Sequence, residues 1–263
     1  MLHVDGVHKT FFPNTVNERR ALRGIDLYLD HGEFVTVIGS NGAGKSTMLN
    51  AIAGKVAPDE GRIWIDDAEV TKQRDHVRAK VVGRVFQNPM AGTSPDLTIE
   101  QNMALAYKRG HTRGLGRGVT KDKKEFFAEE LTKLELGLED RLTAKAGLLS
   151  GGQRQALSLL MATFSHPKIL LLDEHTAALD PQRADLVTRL TEKVVAEQNL
   201  TTLMVTHNMA QALQVGTRLI MMHEGEVILD IGHEEKQAMS VDDLLAEFSR
   251  IKGAQLDDRT LLQ

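Results

Sequence analysis

With 263 residues and 41% hydrophobic content, the chain is long enough for one large α/β domain or two small ones with an ordinary buried core. Its formal net charge of −4 carries no basic excess, which speaks against nucleic acid as a partner. Cysteine is absent, which excludes disulfides and thiolate-bound zinc; no apolar run suits a membrane span, and the first residues lack a signal-peptide core, so a soluble chain in the cytoplasm is predicted.

Val4 to Leu29, together with Gly61 to Val70, shows the alternation and turns of antiparallel strands. Phe34–Ile38, Ile169–Leu172 and Leu203–Thr206 are instead continuous apolar runs, the pattern of parallel strands covered by helices on both faces. Between the first of these runs and a helical pattern from Ser46 to Ala53 stands Gly39-Ser40-Asn41-Gly42-Ala43-Gly44-Lys45-Ser46, which reads G-x-x-x-x-G-K-S. In that strand-to-helix setting the pattern is a phosphate-binding P-loop. Its backbone N–H groups turn inward around phosphate oxygens, Lys45 reaches the β- and γ-phosphates, and the Ser46 hydroxyl holds Mg²⁺. A glycine-rich turn before an ordinary helix is the plainer alternative, but the pattern arises by chance in such a chain only on the order of one time in a hundred.

Thr98 to Gly147 is mostly helical, with an amphipathic helix predicted over Glu125 to Leu136. Lys108 to Gly118 is a basic, glycine-rich stretch, a surface loop by its composition or a contact with acidic lipid or protein. Leu149-Ser150-Gly151-Gly152-Gln153 opens another helix. Ser150 and Gln153 have the spacing of a capping box, while two glycines cost the helix about 1 kcal/mol each against alanine. That cost suggests close approach of an anion, a second phosphate site. The strand from Ile169 ends in Asp173 and Glu174, placed to support Mg²⁺ and to polarise an attacking water. Leu219–Met222 and Glu226–Leu229 flank Glu224-Gly225 as a hairpin.

Gly39–Ser46, Leu149–Gln153 and Leu170–Glu174, in that order, resemble the Walker A, signature and Walker B motifs of an ABC ATPase, and the resemblance covers essentially the whole chain. It implies an α/β P-loop NTPase (RecA-like) core with an antiparallel β subdomain and an inserted α-helical subdomain. The expected division is 1–88 and 160–232 for the core with its β subdomain, 89–159 for the helical signature subdomain and 233–263 for a C-terminal helical tail. Further residues follow from the resemblance. Thr47 completes the Walker A motif. Gln87 is similar to the Q-loop glutamine that contacts Mg²⁺ and water, Asp180 to the D-loop aspartate and His207 to the switch histidine at the γ-phosphate. Phe11 fits the adenine-stacking position better than Phe12 does. The family commonly has proline after the catalytic glutamate; here it is His175, expected to point to solvent.

The resemblance also implies a mechanism and partners. Two copies close head to tail, with ATP between Walker A of one and Ser150, Gly151, Gly152 and Gln153 of the other. The chain, itself without a span, serves integral-membrane permease subunits from the cytoplasmic face of the cell membrane. A solute-binding protein takes part indirectly, in the import of an amino acid or similar small solute. The alternatives are a non-transport ABC ATPase acting on ribosome or DNA, against which the single cassette speaks, and a nucleotide-dependent binding module without turnover, against which Glu174 and His207 speak.

Overall fold

A computed structural model describes residues 1–110, 116 and 118–250. The chain opens with antiparallel strands β1 (Leu2–Phe11) and β2 (Arg19–Leu29), then runs through β3 (Phe34–Gly39) into helix α1 (Lys45–Ile52). β4 (Glu60–Ile65) and β5 (Ala68–Glu69) come next. The short helix α2 (Asp75–Arg78) leads into β6 (Val82–Val85), after which α3 (Ile99–Tyr107), α4 (Lys121–Thr132) and α5 (Gly151–Thr163) form the helical insert. β7 (Ile169–Asp173), α6 (Pro181–Gln198), β8 (Thr201–Val205) and α7 (Met209–Gln214) then alternate. The hairpin β9 (Arg218–His223) and β10 (Glu226–Ile231) and helix α8 (His233–Ala238) follow, with further helical residues over 241–250.

Two sheets result. The first is antiparallel, in the order β2-β1-β4-β5; the second has the order β10-β9-β3-β8-β7-β6, parallel from β9 to β6 with β10 antiparallel at its edge. The apolar runs of the central strands serve two cores at once. On β7, Ile169 and Leu171 join Leu2, Leu27, Ile63 and α1 residues between the sheets, whereas Leu170 and Leu172 join the helices of the insert and α6 on the opposite face. That two-sided burial is the reason for continuous rather than alternating apolarity.

The helix expected over Glu125 to Leu136 lies at Lys121–Thr132 instead. Thr120 precedes it without a side-chain cap bond, and Asp122 stands among Lys121, Lys123 and Lys124 in the first turn, so the helix dipole does not account for the earlier start. Glu135 and Gly137 adopt left-handed φ of 56° and 64°, which ends it early. Most of the basic stretch at Lys108–Gly118 and the end of the C-terminal tail fall outside the described residues.

Arg78 is 1% exposed and holds the C-terminal end of α1. Its Nη1 donates to the carbonyls of Ala51 (2.6 Å) and Ile52 (2.8 Å), Nη2 to Thr71 O (2.9 Å) and Nε to Gln73 O (3.0 Å). Burial draws its pKa down to about 10, so these carbonyl partners take the place of lost water. Arg78→Met, which keeps the stem but abandons those carbonyls, is expected to lower unfolding free energy by about 3 kcal/mol. A denaturation midpoint unchanged from wild type would refute the role given to this guanidinium.

Candidate active site

Four adjacent strands of the large sheet, β3, β8, β7 and β6, end on the same side and carry the candidate residues in that order. Val37 of β3 pairs with Val205 of β8, Val205 with Asp173 of β7, and Leu172 with Val85 of β6. Beyond those ends stand Gly39, His207, the Asp173–Glu174 pair and Gln87. Strand spacing of about 4.8 Å gathers residues far apart in sequence into one crevice at the carboxyl edge of an α/β sheet.

From β3 the chain turns through Gly39-Ser40-Asn41-Gly42-Ala43-Gly44 into α1. Gly44, at the helix N-cap, has φ 99°, and a Cβ there would lie 2.4 Å from the Ala21 carbonyl oxygen. Only glycine fits both the left-handed backbone and the close approach of β2. Lys45 folds back over the loop, with Nζ donating to Gly39 O (2.7 Å) and Ser40 O (3.0 Å). Burial lowers its pKa, while the facing carboxylates of Glu174 and Asp173 work against that shift. Thr47 follows on α1, half-buried.

The Ser46 hydroxyl lies 3.3 Å from Asp173 Oδ1. The other oxygen, Oδ2, is held at 2.9 Å by Arg84 Nη2, whose Nη1 donates to Asn50 Oδ1 of α1 at 2.7 Å. Arg84 was not singled out from the sequence; an arginine inside the short strand VGRV was its one signal. Glu174 has φ 44° and receives Gln87 Nε2 at 3.0 Å on Oε2, with His207 Nδ1 3.6 Å from the same oxygen. Two further contacts were missed: Ser40 Oγ meets His223 Nδ1 at 3.2 Å, and Arg19 Nη2 donates to Gly42 O at 3.3 Å.

A second group forms on neighbouring helix ends. Ser150 caps α5: its hydroxyl accepts from Gln153 N (3.3 Å) and its N–H donates to Gln153 Oε1 (3.2 Å), the reciprocal capping box. Asp180 caps α6, accepting from Arg183 N at 3.1 Å, with Pro181 as the first helical residue. The glycine pair has a packing reason inside this chain. A Cβ on Gly151 would lie 3.2 Å from Leu179 Cδ2, and one on Gly152 3.2 Å from Arg183 Cβ. Gly152 is buried, Ser150, Gly151 and Gln153 are half-buried, and the neighbouring Leu148 is 72% exposed.

Phe11 pairs across the hairpin with Arg19, the residue that touches the P-loop at Gly42, and Lys9 Nζ stands 5.8 Å from its ring. Phe12 is 67% exposed with φ 53°.

A family model described as "ABC transporter" matches residues 22–177, more than half of the chain. The chain belongs to the ABC transporter family. It is 44% identical over 249 residues to the tyrosine transport ATP-binding protein of Clostridioides difficile, covering 94% of this chain and 98% of that one. It is 35% identical to the aliphatic sulfonates import ATP-binding protein SsuB of Pseudomonas fluorescens, over 88% of this chain and 76% of the relative. Among solved structures, a dimeric ATP-binding cassette in a post-hydrolysis state with ADP and Pi superposes with a TM-score of 0.75 at 32% identity, covering 88% of this chain and 98% of that one. The fold is therefore the P-loop NTPase fold of ABC cassettes, and the chain is an ATPase that binds ATP. Among the described residues no helix is long and apolar enough to cross a membrane.

In this ABC cassette the expectation for His175 is overturned. Its side chain does not point to solvent; the residue is 1% exposed, and Nε2 lies 3.1 Å from Thr191 Oγ1 on α6. The Thr191 hydroxyl donates to Val187 O (2.8 Å), so its oxygen accepts and Nε2 must carry the imidazole proton. Nδ1 is buried with no hydrogen-bond partner among the described residues, which fits a neutral ring. Desolvation pushes the pKa down to about 4. Between that value and the ordinary 6.5 of histidine the unfolded chain binds a proton that the folded chain refuses, so stability falls as pH drops through this window, by up to about 1.4 kcal/mol per pH unit. A His175→Gln variant is expected to lose melting temperature less steeply than wild type between pH 6.5 and 4.5; parallel curves would contradict the buried neutral ring.

Proposed function

We propose that this chain is the ATP-hydrolysing subunit of an ABC importer, driving uptake of an amino acid or similar small solute through a separate membrane permease fed by a solute-binding protein. The observation that carries the catalytic part is the meeting of Gln87 and His207 on one oxygen of Glu174, beside Ser46 and Asp173 at the P-loop. The uptake of an amino acid is supported by the likeness to a tyrosine transport ATP-binding protein along nearly the whole chain. On this reading the chain works as a peripheral protein at the cytoplasmic face of the membrane.

The amides of Gly39 to Lys45, the Lys45 ammonium and the N-terminus of α1 bind the triphosphate. Phe11 stacks on adenine, supported by its cross-strand position to Arg19. Ser46, Asp173 and the carbonyl oxygen of Gln87 would hold Mg²⁺. Two hard oxygens from different elements, 3.3 Å apart, fit a cation that takes few protein ligands and fills the rest of its shell with phosphate and water. When bound, the ion neutralises charge on the β,γ-phosphate oxygens. Arg84 keeps the Asp173 carboxylate turned toward Ser46. Glu174 takes the proton of the attacking water as the new P–O bond forms and ADP leaves, Gln87 orients that water, and His207 donates to the γ-phosphate.

Ser150, Gly151, Gly152 and Gln153 complete the site of a second copy, with Asp180 beside that interface. Half-buried Ser150, Gly151 and Gln153, next to exposed Leu148, support a surface open to a mate. The 89–159 segment then serves as the helical signature subdomain that meets the permease.

Glu174→Gln is expected to lower steady-state hydrolysis by at least about 100-fold while an ATP-bound dimer accumulates in gel filtration; wild-type turnover would remove Glu174 as the base. Lys45→Ala is expected to weaken ATP binding by about tenfold or more in a calorimetric titration, the scale of losing charge-assisted bonds to phosphate; equal affinity would contradict the phosphate role. Affinity capture from detergent-solubilised membranes should recover a permease, and recovery of ribosomes alone would overturn the transport reading.

A further inference from the structure

The side chain of Gln211, on the first turn of α7, touches both turns that carry the hydrolytic residues. Its Oε1 accepts from Thr206 Oγ1 at 2.8 Å, and Thr206 immediately precedes His207. Its Nε2 donates to Thr176 Oγ1 at 3.3 Å, two residues beyond Glu174, and to Thr188 Oγ1 of α6 at 2.8 Å. Its backbone N–H is held by the helix cap Asn208 Oδ1 at 3.0 Å, so the side chain departs from a fixed point.

The direction of each proton follows from the surroundings. Thr188 donates its hydroxyl proton to Ala184 O at 2.8 Å, so its oxygen must accept. The amide nitrogen of Gln211 is the donor that meets it, which fixes the orientation of the amide. Thr206 oxygen accepts from Asn208 N at 3.1 Å and its proton goes to Gln211 Oε1. Both N–H groups and the carbonyl of one neutral amide are thereby used, each on a hydroxyl tied to a different element. A carboxylate of the same shape keeps the bond from Thr206 but offers no proton to Thr188.

We propose that Gln211 is a positioning residue for hydrolysis: it clamps the turn bearing Glu174 to the turn bearing His207, with α6 as the shared anchor. This rests on the reading of Glu174 and His207 given above. The clamp borders a cleft of about 400 Å³ lined by Thr176, Thr188, Thr206, His207, Asn208 and Gln211. Truncation to alanine would admit water that restores the bonds, so leucine, which fills the space and carries no polar atom, is the decisive substitution.

The test measures steady-state ATPase kinetics of the full chain as Gln211→Leu and Gln211→Glu, each with its thermal midpoint. Gln211→Leu is expected to lower kcat about tenfold, the scale of losing several neutral hydrogen bonds, with the KM for ATP within about twofold because the P-loop is untouched. Gln211→Glu is expected to lose less, and it decides the matter if the leucine variant fails to fold. Added to His207→Ala, the leucine substitution should cost less than it does in wild type, since part of what it positions is gone. Wild-type kcat in both folded variants, or a loss equal in the two backgrounds, would overturn the clamp. If Glu174→Gln is inactive while Gln211→Leu is fully active, only this inference fails; full activity of Glu174→Gln removes the reading beneath it.

Discussion

Everything at the candidate site depends on the parallel register of β3, β8, β7 and β6. Because Val37, Val205, Asp173 and the end of β6 stand side by side, the loops that leave those strands open onto one crevice. A one-residue slip of β7 would exchange the residues that face the two cores, Leu170 and Leu172 for Ile169 and Leu171, and would carry Asp173 and Glu174 out of line with the ends of β8 and β6. The same apolar contacts that form the two cores therefore hold the chemistry in place, and no dedicated scaffold is needed.

Polar pins then refine what the register delivers. Helix α1 turns its N-terminus toward the proposed phosphate site, where an anion would suit its dipole, and its last carbonyls meet the Arg78 guanidinium, a cation at the end that favours one. Arg84 ties Asn50 of that helix to Asp173 of β7, linking the two elements that share the Ser46–Asp173 contact. Helix α6 offers the hydroxyls of Thr188 and Thr191, whose own protons are spent on helix carbonyls, as acceptors for Gln211 and His175. The turn after β7 is thus tied to α6 directly through His175 and indirectly through Gln211, which also meets Thr176, and this supports the left-handed φ of Glu174.

Local patterns were legible in the sequence. The P-loop, the capping box of α5 and the β9–β10 hairpin each depend on residues within a few positions of one another, and each lies where the pattern put it. Long-range polar contacts were not. Arg78 finds Ala51, Arg84 finds Asp173 and His175 finds Thr191, and no periodicity ties the members of such pairs together. β6 escaped notice because Gly83 and Arg84 interrupt an apolar run of four residues. The glycine pair of the signature illustrates a different difficulty. Its cost to the helix was visible, but close packing against Leu179 and Arg183 is as good a cause as an anion, and composition cannot separate the two.

The most direct measurement is a crystal structure of the protein with a nonhydrolysable ATP analogue and Mg²⁺. The triphosphate is expected along the Gly39–Lys45 amides, with its terminal phosphate over the ends of β3, β8 and β7, a water between it and Glu174, and a second copy presenting Ser150 from the far side. An analogue bound elsewhere, or a γ-phosphate out of reach of Glu174 and His207, would contradict the account.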